Sequence, residues 1–103
     1  MRKNAERVLE AWKMGREYRR ASSCWTDGQN VWSYATCLAT RDGVAVVMNA
    51  EKYSPTTSNY QSAIRQWARW EGLDLIEVDT ERGRGAQPHH LTDALALSLK
   101  GTA

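Results

Sequence analysis

A chain of 103 residues has the length of one domain and buries roughly 65% of the surface its unfolded form exposes, enough for a core that needs no metal or disulfide. With 42% hydrophobic and 25% charged residues, the composition is that of ordinary globular proteins and excludes disordered and fibrous classes. A net charge of +2 is too small to argue for nucleic acid by itself.

Two cysteines make no disulfide framework, the charged N-terminus has no signal-peptide core, and no apolar run approaches the roughly 18 residues of a membrane span. The expectation is a reduced, cytoplasmic protein with no membrane partner. Five Trp and four Tyr with no Phe give every aromatic ring a polar handle, which suits half-wet surfaces such as interfaces. The charge is uneven. Residues 1–20 carry seven Lys or Arg against Glu6, Glu10 and Glu17, a local +4, and the remainder carries −2.

The first predicted element is a helix from about Asn4 to Arg19, with Val8, Ala11, Trp12, Gly15 and Tyr18 on one stripe and Asn4 as N-cap. From Ala21 the period changes to two. Ser22–Thr26, Val31–Ala39 and Val44–Ala50 read as strands, separated by the turns Asp27-Gly28-Gln29-Asn30 and Thr40-Arg41-Asp42-Gly43.

Four-residue turns set Thr26 opposite Val31 and Ala39 opposite Val44. One sheet face then carries Cys24, Val31, Ser33, Ala35, Cys37, Val44, Val46 and Met48, and the other carries Trp25, Trp32, Tyr34, Thr36, Leu38, Ala45 and Val47. Cys24 falls opposite Ser33 and Cys37 opposite Val46, which argues against a disulfide between them.

A hydroxyl-rich stretch, Tyr53 to Gln61, launches the next helix, which runs to about Glu71. Ser54 caps it with Pro55 in the first turn, or Ser58 caps it with Gln61 completing a capping box; the second is preferred. Tyr60, Ala63, Ile64, Trp67 and Trp70 share a face, and Gly72 with Leu73 fits a Schellman end. Leu73–Val78 reads as a strand at the sheet edge or beside the first strand. Thr80–His90 reads as a mobile loop, and Leu91–Lys100 as a short docking helix. The order α-β-β-β-α-β-α predicts a single α+β domain over residues 1–103: an antiparallel three-stranded meander plus one further strand, with helices packed mainly on one face.

No residue set stands out as catalytic. His89 and His90 adjoin Asp93, but neighbouring histidines point apart and no further ligand completes a metal site. Cys24 and Cys37 read as buried strand thiols, so no cofactor, metal or enzyme activity is expected. Ser54, Thr56, Thr57 and Ser58 could bind an anion at a helix N-terminus, although capping alone explains hydroxyls there. The sharpest candidates for partner binding are Trp25, Trp32 and Tyr34 on one sheet face, unless the last helix covers them, together with the basic residues Arg65, Arg69, Arg16, Arg19 and Arg20. Arg7, Lys13, Arg82 and Arg84 could extend a positive surface.

Taken together, Thr26-Asp27-Gly28, Ser33-Tyr34-Ala35-Thr36 and Tyr53-Ser54-x-Thr56-Thr57-Ser58-x-x-Gln61 resemble a pattern in small uncharacterised proteins of phages and other mobile elements. The similarity covers about residues 25–61, and the family's usual His before the Gln is Tyr60 here. It implies a mobile-element or host-interaction setting. The order α-β-β-β-α also resembles double-stranded RNA binding domains, though their lysine-rich helix start is Ser58-Asn59-Tyr60-Gln61 here. Small phage inhibitors of CRISPR systems are similar in size and composition.

The expected function is a non-catalytic binding protein, a monomer or homodimer, acting on a host protein or nucleoprotein complex, such as an anti-CRISPR or other anti-defence inhibitor. The alternative is a small nucleic-acid-binding domain using the basic helices and the aromatic sheet face.

Overall fold

A computed structural model describes residues 2–20, 23–42 and 45–101. Ser22, Gly43 and Val44, expected at a strand start, in a turn and opposite Ala39, lie outside the described residues, as does the side chain of Leu99.

Helix α1 spans Arg2–Lys13 and buries Val8 and Trp12 of the expected stripe together with Ala5 and Leu9, while Ala11 is half-buried. It stops six residues before the expected Arg19. Gly15 takes φ +70°, with its N–H bonded to Trp12 O and the Arg16 N–H to Ala11 O, so the glycine counted in the stripe is a Schellman terminator. The residues after it form a short strand, β1, Glu17–Tyr18, paired with β2, Cys24–Asp27.

Strand β3, Asn30–Ser33, pairs with β2 as the Asp-Gly turn predicts, with Trp25 opposite Trp32 and Thr26 opposite Val31. The expected strand Val31–Ala39 is in fact two. The chain reverses at Tyr34-Ala35, where Tyr34 has φ +54°, and returns as β4, Thr36–Asp42. The register shifts so that Val31 faces Ala39 while Trp32 faces Cys37, leaving Leu38 without a ladder partner. This bulge sends both Leu38 and Ala39 into the core beneath α1, and places Cys37 on the opposite face with Trp32. Cys37 and Leu38 have therefore exchanged the faces expected of them.

Strand β5, Ala45–Asn49, pairs Ala45 with Asp42 and Met48 with Ala39. The expected partners, Val44 for Ala39 and Val46 for Cys37, are off by four residues because β4 continues to Asp42. An even shift leaves the faces of β5 unchanged.

Helix α2, Pro55–Glu71, is capped by Ser54, whose Oγ accepts the Thr57 N–H, with Pro55 in the first turn. The preferred Ser58 cap is thus incorrect: Pro55 has the fixed φ a first turn needs, so the helix begins one turn earlier. Gly72 closes it with φ +69°, and the Leu73 N–H bonds Ala68 O, as the Gly-Leu pair predicts.

Strand β6, Asp74–Val78, runs parallel to β5 at the sheet edge, and α3, Pro88–Gly101, follows. The last helix thus starts three residues before the expected Leu91, again with proline in its first turn, so His89 and His90 are helical.

Among the described residues six strands lie in chain order, β1 to β6, making a mostly antiparallel sheet in an α+β fold. The expected three-stranded meander is five strands long, because β1 and the break at Tyr34 add one each. Helices α1 and α2 cover one face over Val8, Trp12, Val31, Leu38, Met48 and Ile64. Helix α3 covers the other over Trp32, Cys37, Val47, Val78, Leu91 and Leu95.

Candidate functional site

The pairing of β2 with β3 stacks Trp25 on Trp32, with ring centroids 5.3 Å apart and planes 8° from parallel. Trp32 belongs to the core under α3 at 9% exposure, and its Nε1 donates to Asp27 Oδ2 at 3.0 Å. Trp25 is half-buried. Its Nε1 donates to Tyr34 O at 2.9 Å, and the Arg19 guanidinium lies 4.3 Å from its ring centroid. Tyr34 itself is 71% exposed at the tip of the β3–β4 turn. The fold brings the three expected aromatics together, but only Trp25 and Tyr34 face water.

Asp27 anchors the neighbouring turn. Partial burial would raise its carboxyl, but bonds from the Asn30 side chain and backbone, the Gln29 N–H and Trp32 Nε1 hold it below its ordinary value.

The arginines expected to bind a partner are divided between the two edges of the sheet. Arg65 forks onto Glu77 Oε1 through Nε at 3.0 Å and Nη2 at 2.9 Å, at the β6 edge, with Arg69 exposed on the same helix. Arg16, Arg19 and Arg20 flank β1 at the opposite edge, where Arg20 lies 6.0 Å from the Tyr18 ring. Arg7 and then Arg20 draw the Tyr18 hydroxyl below its usual value. Lys13 is bridged to Glu71, and Arg41 donates to Trp12 O from a position over the Trp12 ring.

Beside Tyr34 opens a cleft of about 820 Å³, walled by the β3–β4 turn, residues Glu51–Ser54, Thr57 and the Gly83–Gly85 loop. Lys52 and Arg84 line it. Its hydroxyls are committed to the protein: Thr57 Oγ1 bonds Ser33 Oγ at 3.0 Å and Ser54 Oγ at 3.3 Å. The Tyr53 hydroxyl donates to Gly83 O and accepts from Asn49, and burial pushes it above its usual range. Gln61 Nε2 donates to Asn49 O and Glu51 O. Of the expected anion-binding set, Thr57 is buried in this network, Ser58 is half-buried and Thr56 is exposed. The Ser58 N–H bonds Ser54 O.

Thr80–His90, expected as a mobile loop, is tied down at several points. The Cys37 N–H bonds Ala86 O at 2.7 Å and the Gly85 N–H bonds Thr36 Oγ1 at 2.9 Å. His89 and His90 do not point apart; their rings lie 4.0 Å from each other. Desolvation, then the neighbouring His89 and Arg82, hold His90 below the usual imidazole value, and its Nδ1 accepts the Gln87 N–H.

Burial pushes the Cys24 and Cys37 thiols up to about 12, so neither presents a thiolate at neutral pH, and no disulfide joins them. Among the described residues no cluster of His, Cys, Asp or Glu could hold a metal ion, and no helix is long and apolar enough to cross a membrane.

Sequence reasoning found Tyr34, Ser54, Thr57 and Arg84 singly but not Lys52, Gly83 or the cleft, because its walls come from three segments far apart in the chain that only the fold brings together. Compared with protein-family models, with curated proteins and with solved structures, the chain matches none.

Proposed function

We propose that the chain is a non-catalytic binding protein that engages a protein or nucleoprotein partner of its host through Tyr34, the Arg19–Trp25 stack and the mouth of the adjoining cleft. Tyr34 carries this reading. A large aromatic at 71% exposure and φ +54° occupies a turn position where glycine or asparagine is the unstrained choice. It costs the fold about 1 kcal/mol and leaves most of its surface in water, which is the pattern of a residue kept for a contact outside the chain. Trp25 and Arg19 supply the other residue types that dominate binding hot spots, beside the tyrosine whose carbonyl the Trp25 indole holds.

In the mobile-element setting that the sequence resemblance implies, the partner is a component of a host defence system, and the protein is an anti-defence inhibitor of the anti-CRISPR kind, working in the host cytoplasm. Capture of partners from host lysate by immobilised protein, with Tyr34→Ala and Arg19→Glu variants alongside, is the test. A partner retained by the parent and lost by both variants fits. One held equally well by all three removes this surface from the account.

Direct nucleic-acid binding is the second reading, favoured by Arg19, Arg20 and Tyr34 lying near one end of the sheet. It requires affinity that falls steeply with salt, because phosphate contacts release counterions. Absence of any shift of single- or double-stranded DNA or RNA at low salt eliminates it.

A further inference from the structure

The opposite end of the sheet offers a different kind of contact. Strand β6 is the last strand, and among the described residues no strand pairs with its outer side. It runs for five residues, Asp74–Val78, with no proline, glycine, lysine or register shift. Those are among the devices by which edge strands avoid unwanted pairing; the charge that β6 does carry, Asp74 and the Arg65-paired Glu77, repels acidic segments and leaves its outward N–H and C=O groups as a template for a basic one. Leu75 and Ile76, half-buried on opposite faces, keep the strand seated between the α2 and α3 sides. The other edge, β1, is only two residues long and offers little to pair with.

The surroundings of β6 select the chemistry of a pairing segment. On the α3 side a groove of about 470 Å³ opens between the end of β6 and the helix, lined by Asp79, Glu81, Arg82, Asp93, Ala94 and Leu97. Glu77 and His90 also line it, so four acidic residues, of which Glu77 is paired with Arg65, stand against one guanidinium and one imidazole there. Leu97, 70% exposed, offers an apolar rest for the aliphatic stem of a long cationic side chain. On the α2 side Arg65 occupies Glu77, and Arg69 stands on the same helix, so that side carries no acidic excess. Two copies of β6 pairing antiparallel about Ile76 would bring the Asp74 end of each against the Val78–Asp79 end of the other, a like-charge juxtaposition.

We propose that β6 accepts an extended segment of a partner protein as a seventh strand, with Lys or Arg at alternate positions turned toward the α3 groove. Backbone bonds to the β6 edge would supply affinity, and the carboxylates would set the preference for base on one face of the segment. This surface shares no residue with the one around Tyr34, so either can fail alone.

The test is titration of isotope-labelled protein with a synthetic hexapeptide of alternating Arg and Val, followed by amide chemical shifts. Saturable changes centred on Asp74–Val78 are expected. A Glu–Val counterpart, or the Arg–Val peptide N-methylated at every residue, should bind about tenfold more weakly or worse. Added salt should weaken the Arg–Val complex, and Asp93→Lys, on an exposed helix surface, should weaken it without moving the unfolding midpoint. No binding, binding indifferent to N-methylation, or shifts confined to other strands would overturn the proposal. Concentration-dependent self-association with β6 shifts in the absence of peptide would also overturn it, by giving the edge to a second copy.

Discussion

Single residues fix the turns on which this sheet depends. Gly28 stands at φ +97°, and a Cβ there would come within 2.8 Å of the Gly15 carbonyl oxygen, so the β2–β3 turn and the end of α1 touch backbone to backbone. Gly28→Ala therefore adds left-handed strain and a backbone clash, and should cost about 2 kcal/mol or more in urea unfolding; an unchanged midpoint would contradict the contact. Asp27, one residue earlier, accepts from Gln29, Asn30 and Trp32. Its carboxyl is held low in the fold, so the unfolded chain binds a proton first as pH falls. The stability it contributes is complete above the ordinary carboxylate range and is lost as pH drops through the folded value. Asp27→Asn should flatten that part of the acid-unfolding curve. The two thiols make a simpler case. With Cys24 and Cys37 buried and raised to about 12, a thiol reagent should label them only after the chain opens, at a rate that rises with urea; prompt labelling of the native protein would contradict the packing.

Among the elements, α2 distinguishes two readings of one stretch. Ser54 is its cap and Ser58 lies a turn inside it, so Ser54→Ala should cost about 1 kcal/mol in thermal unfolding while Ser58→Ala costs a few tenths. The reverse ranking would restore the capping box that the sequence favoured. Gln61, whose spacing from Ser58 suggested that box, instead reaches across to the carbonyls of Asn49 and Glu51 and ties α2 to the end of β5. The motif from Tyr53 to Gln61 is thus largely internal bracing. The β2–β3 hairpin and the Schellman end at Gly72 were legible because each rests on a local signal, Asp-Gly and Gly-Leu. Gly15 was misread because a glycine inside an apolar stripe satisfies the helical period and also ends the helix. The reversal at Tyr34 left no signal, since the residue occupying its left-handed position is one that turn chemistry disfavours there.

At the scale of the whole molecule, the helices leave neither sheet face bare. The aromatic face read from the sequence as a candidate surface is largely the floor beneath α3, and what reaches water is its margin: Trp25, the Arg19 laid over it, and Tyr34. The α+β class could be read from the alternation of periods. The covering of that face could not, because it depends on where a 14-residue helix docks after a loop of irregular backbone. The central claim is that Tyr34 is retained for a contact at the expense of the fold. Tyr34→Gly separates the two effects: glycine relieves the φ +54° backbone and removes the ring. Paired measurement of the unfolding midpoint and of partner capture from host lysate should give a midpoint equal to or above that of the parent, with the partner lost. A variant that loses stability, or one that retains the partner at parental levels, would contradict the account.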